Sequence, residues 1–166
     1  MPLLSEELKD WIGREVTYTA QEELGRASIR YFALSIGDDN PLYRDDGYAR
    51  QAGYPSVIAP PTFVVETCQY AHRQPDEHGY IGHTWHLPVE GCRMIRAGND
   101  YEFFRPVVPE DRVSVTWTLE DITERPSSRG GTQLFVLSVA RYYDDADELL
   151  AINQETLVYQ PLRGAP

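Results

Sequence analysis

The sequence predicts an α+β domain in which helices cover one face of an antiparallel sheet. Helical patterns fill most of the first half of the chain, after one short β-rich stretch. The second half reads as a succession of strands separated by turns. The 166 residues contain no internal repeat and no low-complexity linker, so residues 1–166 are expected to form a single domain with its own core.

The first elements of the chain are short. Residues 2–11 are predicted to form a helix with Ser5 as its N-cap. The alternating, β-rich residues 15–19 predict a strand. Residues 26–36 predict the next helix, because apolar side chains recur at helical spacing and form one face. The members of that face are Ile29, Phe32, Ala33 and Ile36.

A polar turn is predicted directly after this helix. Gly37 can take the left-handed conformation that ends a helix, and Pro41 prevents the helix from continuing. Asp38, Asp39 and Asn40 crowd into the turn between them. A capped helix followed by such a turn is a common arrangement, so these residues alone do not identify a functional site.

The middle of the chain predicts two further helices. Residues 45–51 predict a short one. Pro60 and Pro61 suit the start of a longer one, because a proline at the first helical position gives up no intrahelical hydrogen bond. This helix is predicted over residues 61–73. Its apolar residues spread over most of its faces, which predicts a buried central helix wrapped by the sheet.

The second half predicts an antiparallel meander. In residues 113–119, Val113, Val115, Trp117 and Leu119 alternate with polar side chains, which is typical of a half-buried strand. The other predicted strands are residues 99–106, 134–143 and 149–159, and the predicted turns are residues 126–131 and 144–147.

Composition excludes several classes of function. A net charge of -11 disfavours nucleic acid and anionic membrane surfaces, although local arginines can still bind the phosphates of CoA. No stretch approaches the roughly 20 apolar residues of a membrane span. The start of the chain lacks the features of a signal peptide. Cys68 and Cys92 are expected to be free thiols, so we expect a cytoplasmic protein.

Two segments resemble the MaoC-like branch of the hot-dog superfamily, in particular its FAS1-like dehydratase or MaoC N-terminal type. Residues 37–42 read Gly-Asp-Asp-Asn-Pro-Leu, and residues 58–63 read Ile-Ala-Pro-Pro-Thr-Phe. The first is similar to the signature of (R)-specific enoyl-CoA hydratases, Gly-Asp-x-Asn-Pro-(aliphatic)-His. The resemblance continues through residues 102–107 and 109–111. It implies a hot-dog fold, in which an antiparallel sheet wraps a central helix, and an acyl-thioester substrate.

The resemblance also implies roles for the residues of the turn. Asp38 corresponds to the family's catalytic aspartate, and Asn40 to the asparagine that shapes the site. Tyr43 stands where the family has its histidine. A phenol with an ordinary pKa near 10 is a poor base at neutral pH, although it can donate a hydrogen bond. The family also uses backbone N–H groups at the start of the central helix, where Pro61, Thr62 and Phe63 stand here.

These departures favour a subunit without a complete catalytic set. Prolines lack an N–H group, so at the oxyanion position only Thr62 or Phe63 is left to donate. The resemblance therefore implies the partner subunit of an (R)-specific enoyl-CoA hydratase or 3-hydroxyacyl dehydratase. Such a subunit is expected to form a homodimer or heterodimer with a second MaoC-like chain. Its substrate is expected to be a CoA or acyl-carrier thioester, with no separate cofactor.

Several alternatives stay open. His83 and His86 could replace the missing histidine, bind substrate, or serve as ordinary loop residues; a metal site at this pair lacks a third ligand. Arg96 is a candidate for binding the CoA phosphates, as are Arg93 and Arg105, or each is an outward strand residue. The chain could also be a non-catalytic acyl-CoA-binding subunit. A hot-dog thioesterase would use a carboxylate on the central helix, where Glu66 stands.

Overall fold

A computed structural model of the chain describes residues 3–65, 68–127 and 131–162. Its helices are α1 (Glu6–Lys9), α2 (Arg26–Ser35) and α3 (Asp46–Gln51). Its strands are β1 (Glu15–Thr19), β2 (Cys92–Phe103), β3 (Ser114–Pro126), β4 (Thr132–Tyr143) and β5 (Leu149–Pro161). Short 3₁₀ turns lie at Pro41–Tyr43, Pro61–Val65 and Cys68–Tyr70. In this described part of the chain, no helix is long and apolar enough to cross a membrane.

The five strands form one antiparallel sheet in the order β1-β3-β4-β5-β2. This order confirms the α+β prediction and places β3, β4 and β5 in the centre of the sheet, with β1 and β2 at its two edges. Pairing aligns one residue of each strand in a row across the sheet. From β1 to β2 the row consists of Val16, Trp117, Ala140, Asn153 and Tyr101. This row lies on the inner face, which packs against the helical half of the chain.

The three central strands bury one face because their side chains alternate. Val115, Leu119 and Val136 are fully buried on the inner face. β-branched and large apolar side chains fit this pleated surface well. A β-bulge between Leu119 and Asp121 interrupts the register of β3 with β4, and inward burial resumes at Ile122. The alternation read from residues 113–119 is therefore confirmed.

The edge strand β2 differs from the central strands because it is exposed on both faces. Met94 is 50% exposed, Ile95 36% and Phe103 40%. A long edge with free backbone groups and exposed apolar side chains is a surface on which another chain can pair. Among the described strands it is the edge best suited to assembly, since β1 at the other edge has only five residues.

The predicted N-cap Ser5 is confirmed, but α1 covers only Glu6–Lys9 and not residues 2–11. Ser5 caps α1 by accepting a hydrogen bond from the Leu8 N–H at 3.2 Å. Helix α2 starts at Arg26 and ends at Ser35, one residue earlier than predicted. Gly37 follows with φ of +73°, the left-handed conformation predicted for it. Helix α3 buries Ala49 and starts after the cap Asp45.

The predicted central helix is wrong in its secondary structure and correct in its burial. Residues 61–65 and 68–70, here called the central segment, form two 3₁₀ turns instead of a continuous α-helix over residues 61–73. Thr62, Val64 and Val65 are β-branched, which disfavours the α-helix at its first turn. Phe63, Val64 and Val65 are nevertheless buried. Residues 66 and 67, including Glu66, lie outside the described residues, as do 128–130 of the predicted turn.

A charge cluster holds the turn that leads from β2 into β3. Arg105 binds the Asp111 carboxylate with both of its terminal nitrogens, at 2.8 and 2.9 Å. It also binds Asp144 at 2.6 Å and Glu148 at 2.9 Å. Asp111 in turn accepts a hydrogen bond from the Val108 N–H at 2.7 Å. Arg105 is therefore fully used inside the fold, which removes it as a candidate for binding CoA phosphates.

Replacing Arg105 with methionine is expected to destabilise the protein by about 2 kcal/mol, because it leaves the largely buried carboxylates of Asp111 and Asp144 without their cation. The measurement is urea unfolding at pH 7. Arg93→Met is the matched control, since Arg93 is exposed and bonds Gln160. It should change stability by less than about 0.5 kcal/mol. Equal stabilities for the two variants would contradict a structural role for this cluster.

Candidate functional site

The turn after α2 is tightly folded around two polar side chains. Residues 37–43 are here called the elbow. The Asn40 N–H donates to Asp38 Oδ1 at 3.1 Å, and the Leu42 N–H donates to Asn40 Oδ1 at 3.1 Å. The Asp38 N–H donates to the Ala33 carbonyl at 2.9 Å, which fixes the elbow to the end of α2. Asn40 therefore shapes the turn through its side chain.

Tyr43 is the buried member of the elbow. It is only 8% exposed, and its phenol lies near the Asp38 carboxylate. Burial raises the pKa of Tyr43, and the negative charge of Asp38 raises it further. The phenol consequently stays protonated at neutral pH. Tyr43 is therefore a poor base at that pH, although its hydroxyl can still donate a hydrogen bond.

Two small cavities meet at Tyr43. One, of about 230 Å³, is lined by elbow residues Asp38, Asn40 and Tyr43 together with side chains of α2. The other, of about 300 Å³, is lined by Tyr43, Pro61 and Val64 with residues that follow β2. The structure thus brings the three predicted catalytic residues together at the first cavity and places Pro61 in the wall of the second, which Tyr43 also lines.

The start of the central segment offers little to stabilise an oxyanion. Pro60 and Pro61 have no N–H group. The Phe63 N–H is already bonded to the Pro60 carbonyl at 2.9 Å. Thr62, which is exposed, is left as the candidate donor of the three predicted substrate-binding residues here. The start of the central segment therefore lacks the complete set of backbone N–H donors that the family uses to stabilise the thioester oxygen.

A larger cavity of about 590 Å³, here called the inner cavity, lies between the central segment and the inner face of the sheet. Three of the predicted substrate-binding residues line it: Phe63, His83 and Arg96. The sequence did not single out the others that give the cavity its character. These are Tyr70, Tyr80, Tyr101, Trp117, Asn153 and Glu155.

His83 is buried deep in this cavity wall. Its ring stacks on Trp117 with the centroids 4.6 Å apart and meets the edge of Trp85 at 4.5 Å. Its Nδ1 lies 3.1 Å from the Tyr18 hydroxyl. Burial lowers the pKa of His83 to about 3, with smaller contributions from the charges of Arg73 and His86. His83 is therefore neutral at physiological pH.

His86 does not join His83 in a site. It is exposed, with a positive φ of 49°, while His83 is 7% exposed. In the described ranges no three side chains of the metal-binding types come together. The two histidines therefore lie in different environments, and His83 alone faces the inner cavity.

Arg96 lies on β2 at the open side of the inner cavity. Its Nε binds Glu155 Oε2 at 2.8 Å, and Nη2 donates to the Tyr80 hydroxyl at 3.2 Å. Glu155 is only 5% exposed, whereas the Arg96 side chain is 47% exposed. Arg96 thus neutralises a buried carboxylate, which accounts for its position without a phosphate ligand.

The sequence contains one signal for the cavity residues that were not predicted as site residues. On β5 the inward positions run Ala151, Asn153, Glu155 and Leu157, so two polar residues interrupt a face that should be apolar. A buried polar pair on an inner face requires a partner or a ligand. That interruption would have indicated a polar cavity from the sequence.

Comparison with known proteins identifies relatives of the chain. Residues 10–153 match the protein-family model described as FAS1-like, dehydratase domain region. A UPF0336 protein of Streptomyces coelicolor is 39% identical over 111 residues, covering 67% of this chain and 70% of that protein. A probable enoyl-CoA hydratase alpha subunit of Thermomonospora curvata is 26% identical over 159 residues, covering 91% of this chain and 50% of that protein.

Solved structures share the fold. In the ChsH1–ChsH2 complex from Mycobacterium tuberculosis, one chain superposes with a TM-score of 0.76 at 21% identity, covering 96% of this chain and 97% of that one. A chain of the C-terminally truncated HadBC complex, a 3R-hydroxyacyl-ACP dehydratase from the same organism, gives 0.63 at 21% identity, with coverages of 87% and 96%. These likenesses confirm the predicted hot-dog fold. The match to the family model shows that the chain belongs to the FAS1-like dehydratase family.

Proposed function

We propose that this chain is a subunit of an (R)-specific 2-enoyl-thioester hydratase or 3-hydroxyacyl-thioester dehydratase, and that it binds the acyl group beside a catalytic partner subunit. The observation that carries the proposal is the Asp38–Tyr43 pair. A buried, protonated phenol occupies the place of the family's histidine and lies near the Asp38 carboxylate.

The chemistry of hydration explains why this pair is insufficient. A base must activate a water molecule, an acid must deliver a proton to the α-carbon, and donors must stabilise the developing negative charge on the thioester oxygen. Of the three predicted catalytic residues, only Asp38 remains as a possible base. Because its pKa is raised, Tyr43 does not lose its proton near pH 7 and cannot serve as the base. The Phe63 N–H is already bonded within the chain and is not free to stabilise the thioester oxygen. Asp38, Asn40 and Tyr43 therefore form an incomplete catalytic set in this proposal.

Assembly through β2 supplies the missing part. This edge strand is long and exposed, and it contributes Arg96, Asn99 and Tyr101 to the lining of the inner cavity. A partner docked on β2 therefore faces the cavity directly. The relatives support assembly with a partner subunit, since ChsH1–ChsH2 and HadBC are complexes and the Thermomonospora curvata relative is named an alpha subunit.

The substrate that we propose is a CoA or acyl-carrier thioester. Its acyl group would occupy the inner cavity, whose volume of about 590 Å³ falls in the usual range for a small-molecule site. Hydration of a conjugated thioester is acid–base chemistry, so we propose no cofactor. We also propose a reducing cytoplasm as the compartment, because Cys92 carries a free thiol.

The test compares two preparations in the hydration of crotonyl-CoA and octenoyl-CoA. One is the isolated chain, and the other is its complex with a MaoC-like subunit that carries the intact Asp-x-Asn-Pro-(aliphatic)-His motif. The isolated chain should show less than about 1% of the activity of the complex, since loss of an acid–base pair costs 10²–10⁴-fold. Asp38→Asn in this chain should lower the activity of the complex by less than about threefold.

Two results would overturn the partner role. One is full activity of the isolated chain with a large loss in Asp38→Asn, which would make the elbow a complete catalytic site. The other is full activity that survives Asp38→Asn, which would move the chemistry away from the elbow. Failure of the chain to bind any enoyl thioester, alone or in complex, would overturn the proposed function as a whole.

A further inference from the structure

The inner cavity carries buried polar atoms with no partner. Asn153 Oδ1 and His83 Nε2 have no hydrogen-bond partner among the described residues, although Asn153 is 4% and His83 7% exposed. Both side chains line the cavity. Leaving a buried polar group unpaired costs free energy, so such groups in a cavity wall indicate a ligand or water that completes them.

The hydrogen bonds around His83 define what its free nitrogen offers. The Tyr18 hydroxyl accepts a hydrogen bond from Arg73 Nη1 at 3.1 Å. Its own proton is then available for His83 Nδ1, also at 3.1 Å. A neutral imidazole that accepts at Nδ1 carries its proton on Nε2. His83 therefore presents a donor, and Asn153 presents an amide oxygen that accepts.

The sheet register shows the order in which Asn153 and His83 lie along the cavity. Asn153 lies one strand in from the edge, directly beside Tyr101 of β2. Trp117, on which the His83 ring stacks, lies two strands further along the same row. Neighbouring strands are about 4.8 Å apart, so the backbones of Asn153 and Trp117 lie roughly 10 Å apart. A ligand that enters over β2 passes Asn153 first and His83 at the far end.

The remaining lining decides the charge of the ligand. Among the lining residues that the structure describes, three carboxylates, Glu22, Glu23 and Glu155, face one guanidinium, Arg96, which already binds Glu155. This balance disfavours an anionic group inside the cavity. Aromatic side chains supply the apolar part of the wall, among them Phe63, Tyr101 and Trp117. The cavity thus suits a neutral, mostly apolar group that carries a hydroxyl.

From this geometry we infer that the inner cavity selects an acyl group with a hydroxyl at the far end of its chain, distinct from the 3-hydroxyl of the reaction, over a plain alkyl chain of the same length. The inference rests on the proposed function, since it specifies the thioester that the subunit takes. A hydroxyl can donate to Asn153 Oδ1 or accept from His83 Nε2–H, whereas an alkyl chain displaces water and leaves both unpaired. A terminal carboxylate is disfavoured by the acidic lining.

The experiment measures calorimetric binding of matched CoA thioesters to the full chain, together with its partner subunit if the two purify as a complex. The pairs are octanoyl-CoA with 8-hydroxyoctanoyl-CoA, and dodecanoyl-CoA with 12-hydroxydodecanoyl-CoA. The hydroxylated member of at least one pair should bind about tenfold more tightly than its alkyl match, the effect of pairing one otherwise unsatisfied group. The matching ω-carboxy thioester should bind more weakly than either.

Substitutions of Asn153 and His83 test whether these two residues cause the preference for the hydroxylated thioester. Asn153→Leu should reduce the preference to less than about threefold, and His83→Phe should do so while keeping a ring against Trp117. The matched control is Gln154→Leu, because Gln154 is the neighbouring residue on the same strand and is exposed on the opposite face. It should keep the full preference. Having two cavity variants keeps the test decisive if one of them does not fold.

The outcomes separate this inference from the proposed function. Equal affinity for the alkyl and hydroxylated members of both pairs would overturn the selectivity and leave the proposed function standing. A tenfold preference that survives both cavity variants would overturn the assignment to Asn153 and His83. No binding of any thioester would overturn both the inference and the proposed function.

Discussion

Replacing Tyr43 with histidine is expected to give the isolated chain a hydratase activity about 10²–10³-fold above that of the natural chain, measured as hydration of crotonyl-CoA. Tyr43 already lies near the Asp38 carboxylate, so a histidine there gains the family's carboxylate–imidazole pair. A histidine is also smaller than tyrosine. The cavities of about 230 and 300 Å³ that meet at the Tyr43 ring would then be joined, with room for the reacting water.

Two further variants show whether the gain comes from the elbow. Tyr43→Phe keeps the ring and removes the hydroxyl, and it should stay as inactive as the natural chain. Asp38→Asn combined with Tyr43→His should return the activity to background, because the imidazole loses the carboxylate that orients it. A Tyr43→His protein that folds, binds thioester and remains inactive would show that the oxyanion side also limits this subunit.

Local signals in the sequence predicted much of the fold. The cap at Ser5, the left-handed Gly37 and the alternation of residues 113–119 depend on neighbours a few residues away, and the structure confirms all three. The central segment was harder to predict because two preferences compete in it. Its apolar residues favour burial, whereas β-branched Thr62, Val64 and Val65 weaken the α-helix. The central segment is buried, as its apolar residues predicted, but its backbone forms 3₁₀ turns instead of an α-helix.

The candidate site likewise has one part that the sequence predicted and one part that it did not. Asp38, Asn40 and Tyr43 lie within six residues, so a motif could find them, and the structure brings them together around one turn. The inner cavity is built from residues distant in sequence. The contact between Tyr18 and His83 spans 65 residues. Asn153 reaches the row of Trp117 only through the register of β3, β4 and β5. Such a cavity requires the sheet pairing to be known first.

The buried imidazole of His83 is expected to make the protein less stable in acid. The pKa of His83 is about 3 in the folded chain, against an ordinary value of 6.5. Above pH 6.5 neither state binds this proton, so His83 contributes no pH dependence there. Between pH 6.5 and 3 the unfolded chain binds the proton and the folded chain does not. Stability therefore falls as the pH falls, by about 3 kcal/mol at pH 4.5, two pH units below the ordinary value.

The measurement is urea unfolding followed by tryptophan fluorescence at pH 7 and pH 4.5. His83→Phe cannot titrate and should lose about 3 kcal/mol less than the natural chain between these two conditions. Carboxylates whose pKa is lowered by hydrogen bonds, such as Asp46 and Asp76, also destabilise the fold in acid, but they are present in both proteins and cancel in the difference. The control His72→Gln changes an exposed histidine and should keep the full loss. An equal loss in His83→Phe and the natural chain would mean that His83 takes up its proton without unfolding, which is incompatible with an imidazole held between Trp85 and Trp117.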